Sequence, residues 1–185
     1  MPKLFMVLIG CKPPGRHIEQ HDVFFGIGES MADLVPNLVA FWSQAAGKLH
    51  IDAWREITQV DKYSVKVTAA GEPIDVGQTR LYFINLGGYK ENEFEEFHYK
   101  MLIAANSKAE AINKSKQTAF FRHTGFKGAS SHIDDKYGID VDDLFEIEDA
   151  LDETSRTQYR ILLSEAHTNA EDEIHLGYFK LGMFR

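Results

Sequence analysis

The alternation of apolar and polar residues sorts most of the chain into elements before any other property is consulted. Residues 4–9 and 81–86 are apolar, β-rich runs that each end at a glycine, which predicts a strand and then a turn. Residues 21–27 and 98–104 follow as second strands. Ser30 with Asp33, and Ser107 with Glu110, form capping-box pairs at the same distance from the preceding strand, so a helix is expected after each serine. Behind them Val35, Leu38, Val39 and Trp42 recur at helical spacing, as do Ile112, Ala119, Phe120 and His123 with Lys116 between them, so one face of each helix should be buried. Pro36 lacks an N–H, which predicts that the first helix is kinked or starts again there. The period then changes to two. Leu49, Ile51, Ala53 and Ile57 share the buried face of a strand and His50, Asp52, Trp54 and Glu56 the other, with 63–67 as the returning strand. Residues 69–79, with two glycines and a proline, read as a linker; 159–165 and 174–181 read as a closing hairpin around a polar turn at 167–173.

The two halves of this pattern match each other. Displaced by 77 positions, residues 4–37 pair with 81–114 without a gap. Identities fall at Leu4/Leu81, Gly10/Gly87, Glu19/Glu96, His21/His98, Ser30/Ser107 and Ala32/Ala109, where composition alone would give about two. A second block, displaced by 82, aligns His50-Ile51-Asp52 with His132-Ile133-Asp134 and continues through Ile57/Ile139, Asp61/Asp143, Tyr63/Phe145 and Val65/Ile147. The expectation is an α+β fold: a tandem duplication of a strand-strand-helix-strand-strand unit, mostly antiparallel sheet packed by helices, with a pseudo-two-fold and a C-terminal hairpin. Residues 1–70 form the first repeat, 71–79 the linker, 80–148 the second repeat and 149–185 an extension, all within one compact unit.

The aliphatic first strand ending at Gly10 or Gly87, the strand led by Glu19-x-His21 or Glu96-x-His98, and the helix capped by Ser30 or Ser107 together resemble domain-of-unknown-function family 1543. That is a small bacterial group in which the domain occurs once or twice per chain. The likeness spans about residues 3–70 and 80–148. It implies the duplicated architecture and no established activity, so it carries no catalytic residue over to this chain.

Composition narrows the function classes. The 185 residues are 44% apolar, enough for a real core, and a disordered or fibrous chain is excluded. A formal net charge of −8 argues against nucleic acid as a partner, because counterion release needs clustered Lys and Arg. Residues 1–90 balance nine basic against nine acidic side chains, so the acidic excess lies in 91–185, much of it between Asp134 and Glu153. A solvated acidic face explains that run, since the ligand spacing of a calcium loop is not in register from Asp134, Asp135 or Asp140. The single cysteine, Cys11, fits a reducing cytoplasm. The apolar start is too short to cross a membrane and lacks the cleavage site of a signal peptide.

Two His/acid dyads recur in the alignment: Glu19 with His21 and Glu96 with His98 on one strand, His50 with Asp52 and His132 with Asp134 on another. An imidazole and a carboxylate on one side of a strand can act as base and orienter, or supply two metal ligands. A hydrogen-bonding role in holding the fold explains the recurrence as well, and Glu173-x-His175, outside the repeat, has the same spacing. These eight residues therefore stand as a candidate polar site, with no catalytic role and no metal assigned. Because the dyads lie on different strands, nothing forces their faces together, and each His is expected to find its partner inside its own half. Gly26-Ile27-Gly28 lacks the third glycine of a phosphate loop and reads as a permissive turn. Lys108, Lys114, Lys116, Arg122 and Lys127, interleaved with Phe120, Phe121 and Phe126, read as solvated cations over an apolar core. No serine elbow, Walker loop, dinucleotide fingerprint or Cys/His zinc spacing is present. The expectation is a non-catalytic cytoplasmic binding or assembly protein, with its small-molecule or protein partner and any cofactor unassigned and self-association left open. The alternative is a metal-assisted hydrolase or related enzyme using the repeated His/acid pairs.

Overall fold

The computed structural model describes residues 1–45, 47–71, 78–89, 94–123, 140–166 and 170–184, without the side chains of 89, 118–123 and 140. Along them run β1 (Lys3–Cys11), β2 (Gln20–Gly28), α1 (Met31–Phe41), β3 (His50–Glu56), β4 (Gln59–Val60), β5 (Tyr63–Ala69), β6 (Arg80–Tyr89) and β7 (Glu96–Ala105). There follow α2 (Lys108–His123), β8 (Asp140–Glu146), α3 (Ile147–Ala150), α4 (Glu153–Gln158), β9 (Tyr159–Glu165) and β10 (His175–Lys180). The class is α+β, and the strand pairs are antiparallel. These residues fall into two units, Met1–Val76 with Ala150–Arg185, and Gly77–Asp149.

In the first unit the alternation of β1 sends Phe5, Val7, Ile9 and Cys11 to one face of the sheet β10-β3-β1-β2. There they meet Phe24, Ile51 and the Met31, Leu34 and Leu38 stripe of α1. That stripe differs from the expected one, for Val39 is 52% exposed. The reason lies in β2. A Cβ on Gly26 would sit 3.0 Å from Leu34 Cδ2, so the missing side chain seats Leu34 against the sheet and fixes the rotation of α1. Gly26 and Gly28 thus lie inside β2 as a packing floor and not in a turn. The helix runs unbroken through Pro36; Ala32 and Pro36 are both exposed, so the carbonyl that loses its helical donor lies on the exposed side of the helix.

The second unit is built in the same way on β6, in the order β7-β6-β8. Tyr82, Ile84 and Leu86 pack with Met101, Ile103, Ala105 and Ala111. The buried side of α2 includes Ala111 and Ser115 in place of Ile112, and the Ser115 hydroxyl donates to the Ile112 carbonyl at 2.8 Å. Both helix starts use a backward-reaching acid: Asp33 accepts the N–H groups of Glu29 and Ser30, and Glu110 accepts that of Asn106.

Strand register corrects three expectations. Gly10 stands opposite His21 and Gly87 opposite His98, as the 77-residue displacement requires. On their other side, however, Gly10 faces His50 while Gly87 faces Asp140, with a bulge one step along in both pairs. The counterpart of β3 is therefore β8 at a displacement of 90, which sets Asp142 against Asp52 and removes Phe145 from partnership with Tyr63. The strand β5 pairs with β4 and β9 in a separate sheet, so the common portion of the two units is strand-strand-helix-strand. Finally, β9 and β10 do not form a hairpin. They join different sheets, and Asp172 between them accepts the backbone N–H groups of Thr58 and Gln59.

Candidate functional site

The face of β1 opposite α1 carries Gly10, and here the polar residues of the first unit collect. The bulge in β3 leaves Asp52 as the extra residue between Ile51, opposite Ile9, and Ala53, opposite Leu8. Asp52 stays on the face of His50 while the alternation beyond it reverses. Trp54, expected beside His50, consequently packs against the core, with its ring near that of Phe5.

Glu19 and His21 at the start of β2 and His50 and Asp52 on β3 converge over Gly10. His50 Nε2 is 3.1 Å from Glu19 Oε1 and 3.3 Å from Asp52 Oδ1; His21 Nε2 is 3.3 Å from Asp52 Oδ2 and 4.0 Å from Glu19 Oε2. Each carboxylate thus offers one oxygen to each imidazole. The two dyads meet inside one unit, contrary to the expectation that their different strands would keep them apart. Gly10 is what permits it, because a Cβ there would lie 2.5 Å from both Asp52 Oδ2 and His50 Nε2.

The four side chains differ in exposure. His50 is 4% exposed against 43% for His21. Its ring is covered by that of Tyr178 from β10, with centroids 4.3 Å apart, and its Nδ1 faces the Lys48 carbonyl at 3.4 Å. His50 Nε2 and Asp52 Oδ2 are both shielded from solvent and neither takes part in a hydrogen bond, although their neighbours are within reach by distance.

The second unit holds a smaller version over Gly87, where a Cβ would collide with the Asp142 carboxylate. His98 Nε2 is 3.8 Å from Glu96 Oε2, and His98 Nδ1 is 3.2 Å from Asp142 Oδ2. Asn85 Nδ2 lies 3.3 Å from His98 Nδ1 and donates to Asp143. These three side chains are 29–42% exposed. His132 and Asp134 lie outside the described residues, and so do Ile133, Ile139, Phe126 and Lys127. The residues that sequence reasoning missed are Asp142, the two glycine floors and Tyr178. Asp142 was readable from the Val141/Leu144 spacing, which repeats Ile51/Trp54. The third dyad, Glu173 and His175, stands elsewhere, with His175 stacked on Trp54 at 3.9 Å.

Comparison with known proteins adds the following. Residues 16–67 match the family model of Domain of Unknown Function DUF1543. The matched segment contains Glu19, His21, His50 and Asp52, so the whole first cluster lies within it. The crystal structure of protein Il1583 from Idiomarina loihiensis is similar in fold, with a TM-score of 0.64 and 23% identity over 98% of this chain and 99% of that one. No curated protein matches the chain. Among the described residues no helix is long and apolar enough to cross a membrane.

Proposed function

We propose that the chain is a non-catalytic binding protein whose working site is the cluster over Gly10, and that its ligand is a small cation. The observation that carries this reading is the gathering of two carboxylates and two imidazoles over Gly10, where His50 Nε2 and Asp52 Oδ2 are buried without a hydrogen bond. Among the described residues, the ionic partners of Glu19 and Asp52 are the two histidines of the same cluster, with no lysine or arginine between them. A cation over Gly10 would be attracted by both carboxylates. All four groups are of ligand type and no serine, threonine, cysteine or lysine stands among them, which favours holding over cleaving. A cytoplasmic location belongs to the same reading, supported by Cys11, which is buried as a free thiol.

Equilibrium dialysis of chelator-treated protein against separate divalent cations, followed by elemental analysis, tests the proposal. One retained equivalent that is lost in Asp52→Asn supports it. Absence of any retained cation refutes it.

A further inference from the structure

We infer that the second unit carries a cation site of its own, for a divalent transition metal held over Gly87 by one nitrogen of His98 and one carboxylate oxygen each from Glu96 and Asp142. The inference stands on the second unit alone and does not rest on the cluster over Gly10. Glu96 and His98 alternate onto one face at the start of β7, and Gly87 lies opposite His98. Asp142 comes from β8, where the bulge leaves it as the extra residue between Val141, opposite Leu86, and Asp143, opposite Asn85.

The first support is distance. A donor atom from each of the three side chains lies within 4.8 Å of the other two. Octahedral bonds of about 2.1 Å set neighbouring donors about 3 Å apart and opposite donors about 4.2 Å apart. His98 Nδ1 stands 3.2 Å from Asp142 Oδ2 and His98 Nε2 stands 3.8 Å from Glu96 Oε2, so the carboxylates flank the ring. The three side chains are 29–42% exposed, and the shift that closes them on one ion is a side-chain rotation at the surface and not a change in the core.

The second support is the floor beneath them. A Cβ on Gly87 would stand 2.7 Å from Asp142 Oδ1 and 2.8 Å from its Cγ, so the bare glycine is what lets this carboxylate lie across β6 toward His98. The third is Asn85, two residues before Gly87 and on the side of β6 away from Tyr82, Ile84 and Leu86. Its Oδ1 is shielded from solvent and accepts no hydrogen bond, while its Nδ2 lies 3.3 Å from His98 Nδ1 and donates to Asp143. A buried acceptor without a donor costs roughly 1–3 kcal/mol, and a water or ion that the chain does not itself supply is one cause of such an atom. Here it stands beside the triad.

The donor set gives the class. Carboxylates suit magnesium, calcium and manganese, and imidazole suits iron, nickel, copper and zinc, so an imidazole joined to two carboxylates favours a transition metal over magnesium and calcium. Exposure leaves the remaining coordination positions to water.

The test titrates chelator-treated, full-length protein with manganese and reads the bound ion from the loss of the free-ion electron paramagnetic resonance signal. Expected is one manganese that survives Asp52→Asn and is weakened in both His98→Gln and Asp142→Asn by more than about tenfold, the loss that removal of an outer-shell contact alone produces. In the parent protein the same ion should broaden the His98 imidazole proton signals, a readout that requires no variant to fold. Zinc should displace this manganese, and calcium at equal concentration should not. Manganese binding that disappears in Asp52→Asn and is unchanged in His98→Gln and Asp142→Asn, or that leaves the His98 signals sharp, overturns the site over Gly87 while leaving the reading of the first unit in place. Displacement by calcium overturns the transition-metal class. Absence of any bound manganese overturns both sites.

Discussion

Replacing Gly10 by alanine separates a designed floor from an incidental glycine, because the two views predict opposite signs. Gly10 is absent from the residues with positive φ, so alanine can adopt its backbone conformation. In an ordinary strand interior the change would stabilise the protein by roughly 0.5–1 kcal/mol through lost chain entropy. Here the new methyl would stand 2.5 Å from Asp52 Oδ2 and His50 Nε2 and 3.0 Å from His50 Cε1. His50 is buried under Tyr178 and cannot swing away freely. Overpacking of this kind costs about 1–3 kcal/mol, which leaves a net loss of about 1 kcal/mol after the entropy gain is set against it. Urea denaturation followed by circular dichroism measures the effect. The variant should be less stable than the parent. A variant more stable than the parent would refute the reasoning.

Other substitutions probe the scaffold. Ile51→Ala removes a fully buried side chain from the core between β1 and α1 and should cost roughly 2–5 kcal/mol by chemical denaturation. In Gly26→Ala the methyl would stand 2.6 Å from Phe24 Cε1 and 3.0 Å from Leu34 Cδ2, so a loss of roughly 1–3 kcal/mol is expected in the same assay. Burial alone would raise the Asp152 carboxyl, but the hydrogen bonds from Ser155 and Thr154 at the start of α4 outweigh it and hold the group below its ordinary value of 3.8. Its contribution to stability is therefore fully present above pH 3.8 and disappears as the pH falls through the lower folded value. Asp152→Ala should cost about 1 kcal/mol at neutral pH, and the difference from the parent should vanish in acid.

Much of the scaffold was legible because its causes are local. Strand runs ending at Gly10 and Gly87 and acids three residues past Ser30 and Ser107 mark elements by themselves, and the 77-residue displacement gave the hairpin register. What misled was a stronger local match. His132-Ile133-Asp134 repeats His50-Ile51-Asp52 letter for letter, yet the strand that takes β3's place against β6 begins at Asp140. A bulge is invisible to period-two reading, so that reading places Trp54 beside His50 and not against the core. The meeting of Glu19 and His21 with His50 and Asp52 could not be read either, since it depends on both β2 and β3 flanking β1 at Gly10, a pairing set by tertiary structure. The partners of β9 and β10 were hidden for the same reason.

The most direct measurement is an X-ray structure from crystals of the full chain grown with manganese, a divalent cation located by its anomalous signal. The account predicts a cation peak over Gly10, beside the buried His50 Nε2 and the carboxylates of Glu19 and Asp52. A structure in which the cation occupies only other residues, or in which His50 Nε2 instead donates a hydrogen bond to Glu19 or Asp52 with no cation beside them, would contradict it.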